Sequence, residues 1–267
     1  MISPLVYWAV AFLVVSLIGL FITARYIKID LDKNGELIVA MLTILGTLVS
    51  VLLGLLVSSA DDQYRSLEDC VNNEGTNINQ VFRLSRGLPA ATAYVLQDRC
   101  IDYCDKVIAE DWPAMKHGQL SAEVTQIYTD LSDTIVQFRP ANDGEAAVQS
   151  AILQSVSDLG ENRGIRIIAS QSSWTRRLLP LIMTCAIVVL ACSYLYANKG
   201  NLVLHSVLVG LVAITLGTNI GVIVMMTRPF SSEWAIQSEG FAERVKIMRQ
   251  YKHALPKTGP GILPEAR

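Results

Sequence analysis

The chain has 267 residues, 51% of them hydrophobic and 17% charged, with a mean hydropathy of +0.38. Soluble domains carry about 25% charged residues, so this composition selects a membrane protein. A net charge of −2 without a basic run argues against nucleic acid as a partner. The cysteines at positions 70, 100, 104, 185 and 192 are odd in number and two lie in apolar runs, which excludes a disulfide framework.

Leu5–Ala24 is the first apolar run, with Tyr7 and Trp8 near one end, where aromatic rings favour a membrane interface. Nothing basic precedes it, and Arg25 and Lys28 follow, so it reads as a retained helix rather than a cleaved signal peptide. The short link Arg25–Glu36 turns the chain into Leu37–Glu68, whose first 24 residues are uncharged. A bilayer needs about 20. In that run Gly46, Ser50, Gly54 and Ser58 recur every four residues, beside a second row of Thr43, Thr47, Val51 and Leu55. Small residues admit close helix packing in lipid, as in any tightly packed membrane helix, and small polar groups among them can equally line a narrow path. No proline separates this run from Asp61-Asp62-Gln63-Tyr64-Arg65, so the helix is expected to continue into water.

Asp61–Arg177 is polar and reads as a helical bundle, because each segment carries one apolar stripe at helical spacing. The stripes are Leu96, Cys100, Tyr103, Val107; then Leu120, Val124, Ile127, Leu131, Phe138; then Val148, Ile152, Leu159. Breaks are expected at Gly87-Leu88-Pro89, at Trp112-Pro113 with Gly118, and at Pro140–Gly144. Leu178–Ala197 is the third span, with Pro180 in its first turn. Asn198–Asn201 is a tight turn, and Leu202–Met226 returns across the membrane with Gly210, Gly217 and Gly221 on its path. Beyond it, Ser232–Tyr251 reads as an amphipathic helix and Pro256–Pro264 as disordered.

The expected fold is therefore all-α: a polytopic membrane protein with four transmembrane helices, the second extended, and a cytoplasmic helical bundle. Its regions are 1–60 (spans one and two), 61–177 (the bundle), 178–226 (spans three and four) and 227–267 (a cytoplasmic helix and tail). Four spans put both termini and the bundle on one face. That face holds Arg65, Arg163, Arg166, Arg176, Arg177 and Arg228 near the spans, against Arg25, Lys28, Lys33 and Lys199 in the short turns. The excess favours a cytoplasmic bundle and termini in a cell inner (plasma) membrane protein, and reduced thiols fit that placement.

Enzyme motifs are absent: no Gly-rich phosphate loop, nucleophile elbow, HExxH or CxxC. No cofactor is expected. Cys100, Cys104 and His117 are near enough in sequence to suggest a metal, but two thiols on an apolar stripe are the pattern of core, and no metal is expected. Glu110-Asp111 can attract a cation, or can end a helix before Pro113. None of the four spans holds a charged residue, which weighs against a proton-coupled transporter.

Leu53-Gly54-Leu55-Leu56-Val57-Ser58-Ser59-Ala60-Asp61-Asp62-Gln63-Tyr64-Arg65 resembles the second transmembrane helix of bestrophins. There a Leu-Gly-Phe motif is followed by Asn-Ser, an acidic residue and aromatics. Gly54, Ser58, Asp62 and Tyr64 fall on matching positions, Tyr64 where Trp is usual. Closer still is the bestrophin-like family of bacterial four-span proteins, whose markers resemble Glu110-Asp111-Trp112-Pro113 and Thr227-Arg228-Pro229-Phe230-Ser231. The order of spans and loop lengths agrees over nearly the whole chain.

The resemblance implies a homopentameric ion channel whose second helix lines the pore. It places a hydrophobic neck at Thr47, Val51 and Leu55, and a mouth at Ser58, Asp61 and Asp62. Leu55 stands where Phe is usual, and the animal calcium clasp has no counterpart, Glu233, Glu239 and Glu243 being scattered. Rings of Val51 and Leu55 can gate by dewetting, and acidic residues repeated at a mouth concentrate cations. Close approach favours Gly46, Ser50 and Gly54 as helix-packing residues. The implied partners are further copies of the chain, inorganic ions and the lipid bilayer. The rival reading is a non-conducting sensor or scaffold whose helical domain relays a signal or recruits partners.

Overall fold

The computed structural model describes residues 4–26, 31–171, 174–195 and 201–254. It is all-α among these residues: α1 (Pro4–Tyr26), α2 (Leu31–Leu84), α3 (Ala90–Lys106), α4 (Trp112–Met115), α5 (Ala122–Gln137), α6 (Asp143–Gln171), α7 (Trp174–Leu195), α8 (Leu202–Met226) and α9 (Glu239–Ala254). Four helices are long and apolar enough to cross a membrane: Pro4–Tyr26, the helix that begins the second apolar run, Leu178–Leu195 and Leu202–Met226. The turn expected at Asn198–Asn201 and the tail Pro256–Pro264 lie wholly or mostly outside the described residues. The chain forms two compact units, residues 1–65 with 172–235, and residues 66–171 with 236–267.

In the first unit α1 packs along α8, and the glycines of α8 are the reason it can. A Cβ at Gly217 would stand 2.8 Å from the Trp8 carbonyl oxygen, and one at Gly221 would stand 3.2 Å from the Trp8 side chain. Gly210 meets Leu13 in the same way. The core joins Phe12 of α1, Val49 and Leu53 of α2, Ile182, Ala186 and Leu190 of α7, and Ala213, Leu216 and Ile220 of α8. Tyr194 donates its hydroxyl to Ser16 at 3.1 Å, pairing two polar groups inside this apolar layer. Helix α7 begins at Trp174, so Pro180 is interior rather than in the first turn. A reading that starts the helix where the apolar run starts misses the preceding turn, because helix formation does not require apolar residues.

The second unit is a bundle of the distal part of α2 with α3, α5, α6 and α9. Leu96, Cys100, Tyr103 and Val107 are fully buried, as the α3 stripe requires. In α5 the buried residues are Val124, Leu131 and Ile135. Leu120 is exposed and precedes the helix, because Ser121 caps α5 by accepting the Val124 N–H at 3.3 Å. A second cap opens α6: Asn142 accepts the Glu145 N–H at 2.9 Å, and the Glu145 carboxylate accepts the Ala141 N–H at 2.9 Å.

Two expected boundaries are corrected. The chain does not leave helical geometry at Glu110–Pro113. Val107–Asp111 form a π-helical turn, Trp112 keeps φ −60° and ψ −48°, and the helix ends only at Met115, before Gly118 at φ 68°. A widened turn accommodates the proline that a regular α-helix would reject. The C-terminal helix begins at Glu239 rather than Ser232. Residues 228–238 are held in turns, among them Ser231 N–H to the Arg228 carbonyl, and the Ile236 carbonyl accepts the Trp112 indole N–H at 3.0 Å. That tertiary bond takes the place of a helical one.

Candidate pore helix and a buried charge network

Helix α2 carries the residues that the sequence singles out. At about 100° per residue, Val51 and Leu55 each lie about 160° from Leu53, which is buried in the first unit's core. They are accordingly 58% and 65% exposed. Thr47, Ser50, Gly54, Ser58 and Asp62 are exposed too, and Gly46 is half-buried. A Cβ added at Gly46 or Gly54 would meet nothing within 4 Å, so neither glycine is needed by packing among the described residues. This separates them from Gly217, which is.

The polar groups on this face are only partly available. Thr43 donates its hydroxyl to the Val39 carbonyl and Thr47 to the Thr43 carbonyl, both at 2.8 Å, which leaves their methyl groups outward. Asp61 forms an ion pair with Arg65 at 2.8 Å, one turn on. Asp62, by contrast, is exposed on the face opposite Leu53. Tyr64 donates to the Trp234 carbonyl at 2.6 Å, which ties α2 to the turns after α8.

In the second unit the structure assembles a site that the sequence reading did not name. The Arg166 guanidinium of α6 binds the Glu74 carboxylate of α2 with two bonds, at 2.6 and 2.9 Å, and reaches Asp111 at 3.2 Å. All three side chains are fully buried. Tyr103 donates to Glu74 at 2.6 Å, the Trp112 ring lies 5.4 Å from the guanidinium carbon, and Asp111 accepts the Ser121 N–H at 3.0 Å. Burial on its own would lower the arginine's pKa, but the charge and hydrogen bonds of Glu74 outweigh it and hold the proton more firmly than usual. Burial and then the Glu74 charge push the Tyr103 phenol up, so it stays a donor. One signal was available: Glu74 and Arg166 stand at buried-stripe positions, beside Val71 and Ile78 and one turn past Arg163, where unpaired charge is not tolerated.

Cys100 and Cys104 are fully buried core thiols, while His117 is exposed. Among the described residues no group of three or more His, Cys, Asp or Glu side chains is placed to hold a metal ion. Asp111 is engaged by Arg166, and Glu110 by Lys106 at 2.7 Å and by the Ser121 hydroxyl at 2.5 Å.

Four apolar helices, one of them prolonged into a polar bundle, define a polytopic helical membrane protein of the bestrophin channel type of fold. The model of the Bestrophin-like domain matches residues 9–241, and the chain belongs to that family. Among solved structures, two mutant forms of a bacterial bestrophin homologue from Klebsiella pneumoniae are similar at 12% identity, with TM-scores of 0.65 and 0.66. They cover 95% and 94% of this chain and 100% of theirs. A point mutant of a membrane protein is similar at 14% identity and TM-score 0.68, over 95% of this chain and 100% of its own. No curated protein matches the chain.

Proposed function

We propose that the protein is a homopentameric ion channel of the cell inner membrane, with α2 of each subunit lining the pore. The carrying observation is the orientation of α2: Val51 and Leu55 face away from the protomer's own core and are more than half exposed. In a ring they form the neck with Thr47, whose hydroxyl is turned back on the helix. Larger apolar side chains project far enough to exclude water at a constriction. The same reading gives the open flank of Gly46, Ser50 and Gly54 to contact with a neighbouring helix, where small side chains permit close approach. Ser58, Asp61 and Asp62 form the mouth. Arg65 neutralises Asp61, so Asp62 supplies the net negative field, which favours cations. Arginines near the spans favour a cytoplasmic second unit and termini. In this reading the transmembrane pairs are 1–60 and 178–226, and the cytoplasmic parts are 61–177 and 227–267.

The test is ion flux in liposomes with purified protein. Val51→Ala and Leu55→Ala are expected to widen the neck and raise flux severalfold, with five subunits by native mass spectrometry. A properly assembled oligomer whose flux is indifferent to both changes refutes the neck. A dimer that passes no ion at any voltage supports the sensor reading instead.

A further inference from the structure

The second unit holds an open cleft of about 700 Å³, lined by both charged and apolar residues, where the end of α2 and the following turn, Ser85–Gly87, meet α6. That size suits a small organic ligand. A glycine makes the cleft possible: a Cβ at Gly87 would stand 2.9 Å from the Val148 side chain, so only Gly lets the turn close against α6.

The two walls differ in chemistry. Gln80, Arg83 and Arg86 form one, on α2 and the turn. Arg83 and Arg86 are exposed, and neither makes a hydrogen bond or ion pair among the described residues. Six other arginines and lysines are paired with carboxylates: Arg65, Arg99, Lys106, Arg166, Arg249 and Lys252. At the back, Ser155 is 4% exposed, and its hydroxyl lies 3.0 Å from the Ala151 carbonyl oxygen and 3.2 Å from the Gln80 carboxamide. The α6 wall offers acceptors: Gln154 donates to Asp158 at 2.7 Å, leaving its own oxygen and the rest of that carboxylate free. Two guanidiniums and one carboxylate give the cleft an excess of one positive charge.

We infer that this cleft binds a small organic anion, whose phosphate or carboxylate sits between Arg83 and Arg86 and whose hydroxyl or amino group is taken by Asp158. Guanidinium suits this role because its planar donors match the oxygens of both kinds of anion. The inference does not rest on ion conduction, and binding can be read without flux.

Thermal unfolding of the full-length protein in lipid nanodiscs tests it, with glycerol 3-phosphate, O-phosphoserine and inorganic phosphate as probes. Glycerol 3-phosphate and O-phosphoserine are expected to raise the melting temperature saturably, and inorganic phosphate more weakly. Arg83→Gln with Arg86→Gln is expected to weaken the organic probes by about tenfold or more, since two charge-assisted contacts are lost. Both side chains are exposed, so the variant keeps the fold. Asp158→Asn is expected to bring the organic probes down to the level of inorganic phosphate while sparing phosphate itself. No saturable shift with any probe, or shifts that survive the double arginine change, would overturn the site. So would stabilisation by nanodiscs rich in an anionic phospholipid with no response to the soluble probes, because the anion would then be a lipid headgroup.

Discussion

One helix passes through two kinds of surroundings. Between Thr43 and Ala60, α2 buries only Val49, Leu53 and Ala60, and leaves large apolar side chains such as Leu48, Val51 and Leu55 exposed. Between Leu67 and Phe82 it buries Leu67, Cys70, Val71, Glu74, Gly75, Ile78, Val81 and Phe82, and its exposed side chains are polar. The first pattern is stable only where the surroundings are lipid or another protein copy, the second where they are water. A buried residue thus means different things along one helix. In the distal half burial is driven by water and is nearly complete, so it tolerates a charge only when the charge is matched.

The largest test of that contrast is Arg166→Met. It leaves Glu74 and Asp111 buried without their shared cation, and removal of one partner of a buried pair costs about 3–5 kcal/mol. A correspondingly large fall in the unfolding midpoint is expected, read by denaturant titration in detergent. Adding Glu74→Gln should recover part of it, since the cost is that of an unpaired charge. A midpoint unchanged in Arg166→Met would mean that the buried network does not hold the second unit together.

The course of this contrast explains what the sequence made legible. Spans are readable because lipid demands uninterrupted apolar length, and their number and order agree with the structure at all four helices. The α3 stripe is readable because water sorts residues by face, and its four residues are all buried. The Glu74–Arg166 pair was missed because its members are 92 positions apart, and periodicity reports a face without reporting what meets it. The start of α9 was misplaced for the same kind of reason: Trp112 claims the Ile236 carbonyl from a distance of 124 positions. The π-helical turn before Pro113 has no compositional signature at all. For the pore helix, the rows of small and larger residues were legible, but not that the α2 core contacts fall on Val49 and Leu53, flanking the small row and opposite Val51 and Leu55 of the larger one.

A middle-sized effect separates two glycines that look alike in sequence. Gly217→Ala places a methyl group 2.8 Å from a backbone oxygen of α1, which cannot move without shifting that helix. Overpacking of this kind costs about 1–3 kcal/mol, and the thermal midpoint should fall even in a dispersed protomer. Gly54→Ala meets nothing within 4 Å and should leave the protomer's midpoint where it is. Gly54→Leu is expected to act only on the assembled protein, seen as loss of the oligomer in native mass spectrometry. If Gly54→Leu lowers the midpoint of a dispersed protomer as much as Gly217→Ala does, the open flank of α2 is not open.

The smallest effect belongs to the surface of the second unit and has a definite sign in pH. Glu110 is held down to about 2 by hydrogen bonds from Lys106 and the Ser121 hydroxyl, where an ordinary glutamate titrates near 4.5. Its depressed folded pKa means that its contribution is complete above about pH 4.5 and fades as the pH falls towards about 2. Lys106 is shifted the other way, raised first by its hydrogen bonds to Glu110 and Glu123, so its contribution is complete below its ordinary value of 10.5 and fades only in strong base. Between those limits neither group titrates. The stability difference between the wild type and Glu110→Gln should therefore be flat from about pH 5 to 9 and shrink on acidification below about pH 4.5. Both side chains are about a third exposed to solvent, so added salt should shrink the difference at neutral pH as well. The buried Arg166–Glu74 pair, shielded from that salt, should keep its effect at neutral pH, and measuring both variants at low and high ionic strength separates the two. Equal salt sensitivity in Arg166→Met and Glu110→Gln would contradict the burial that distinguishes the two pairs.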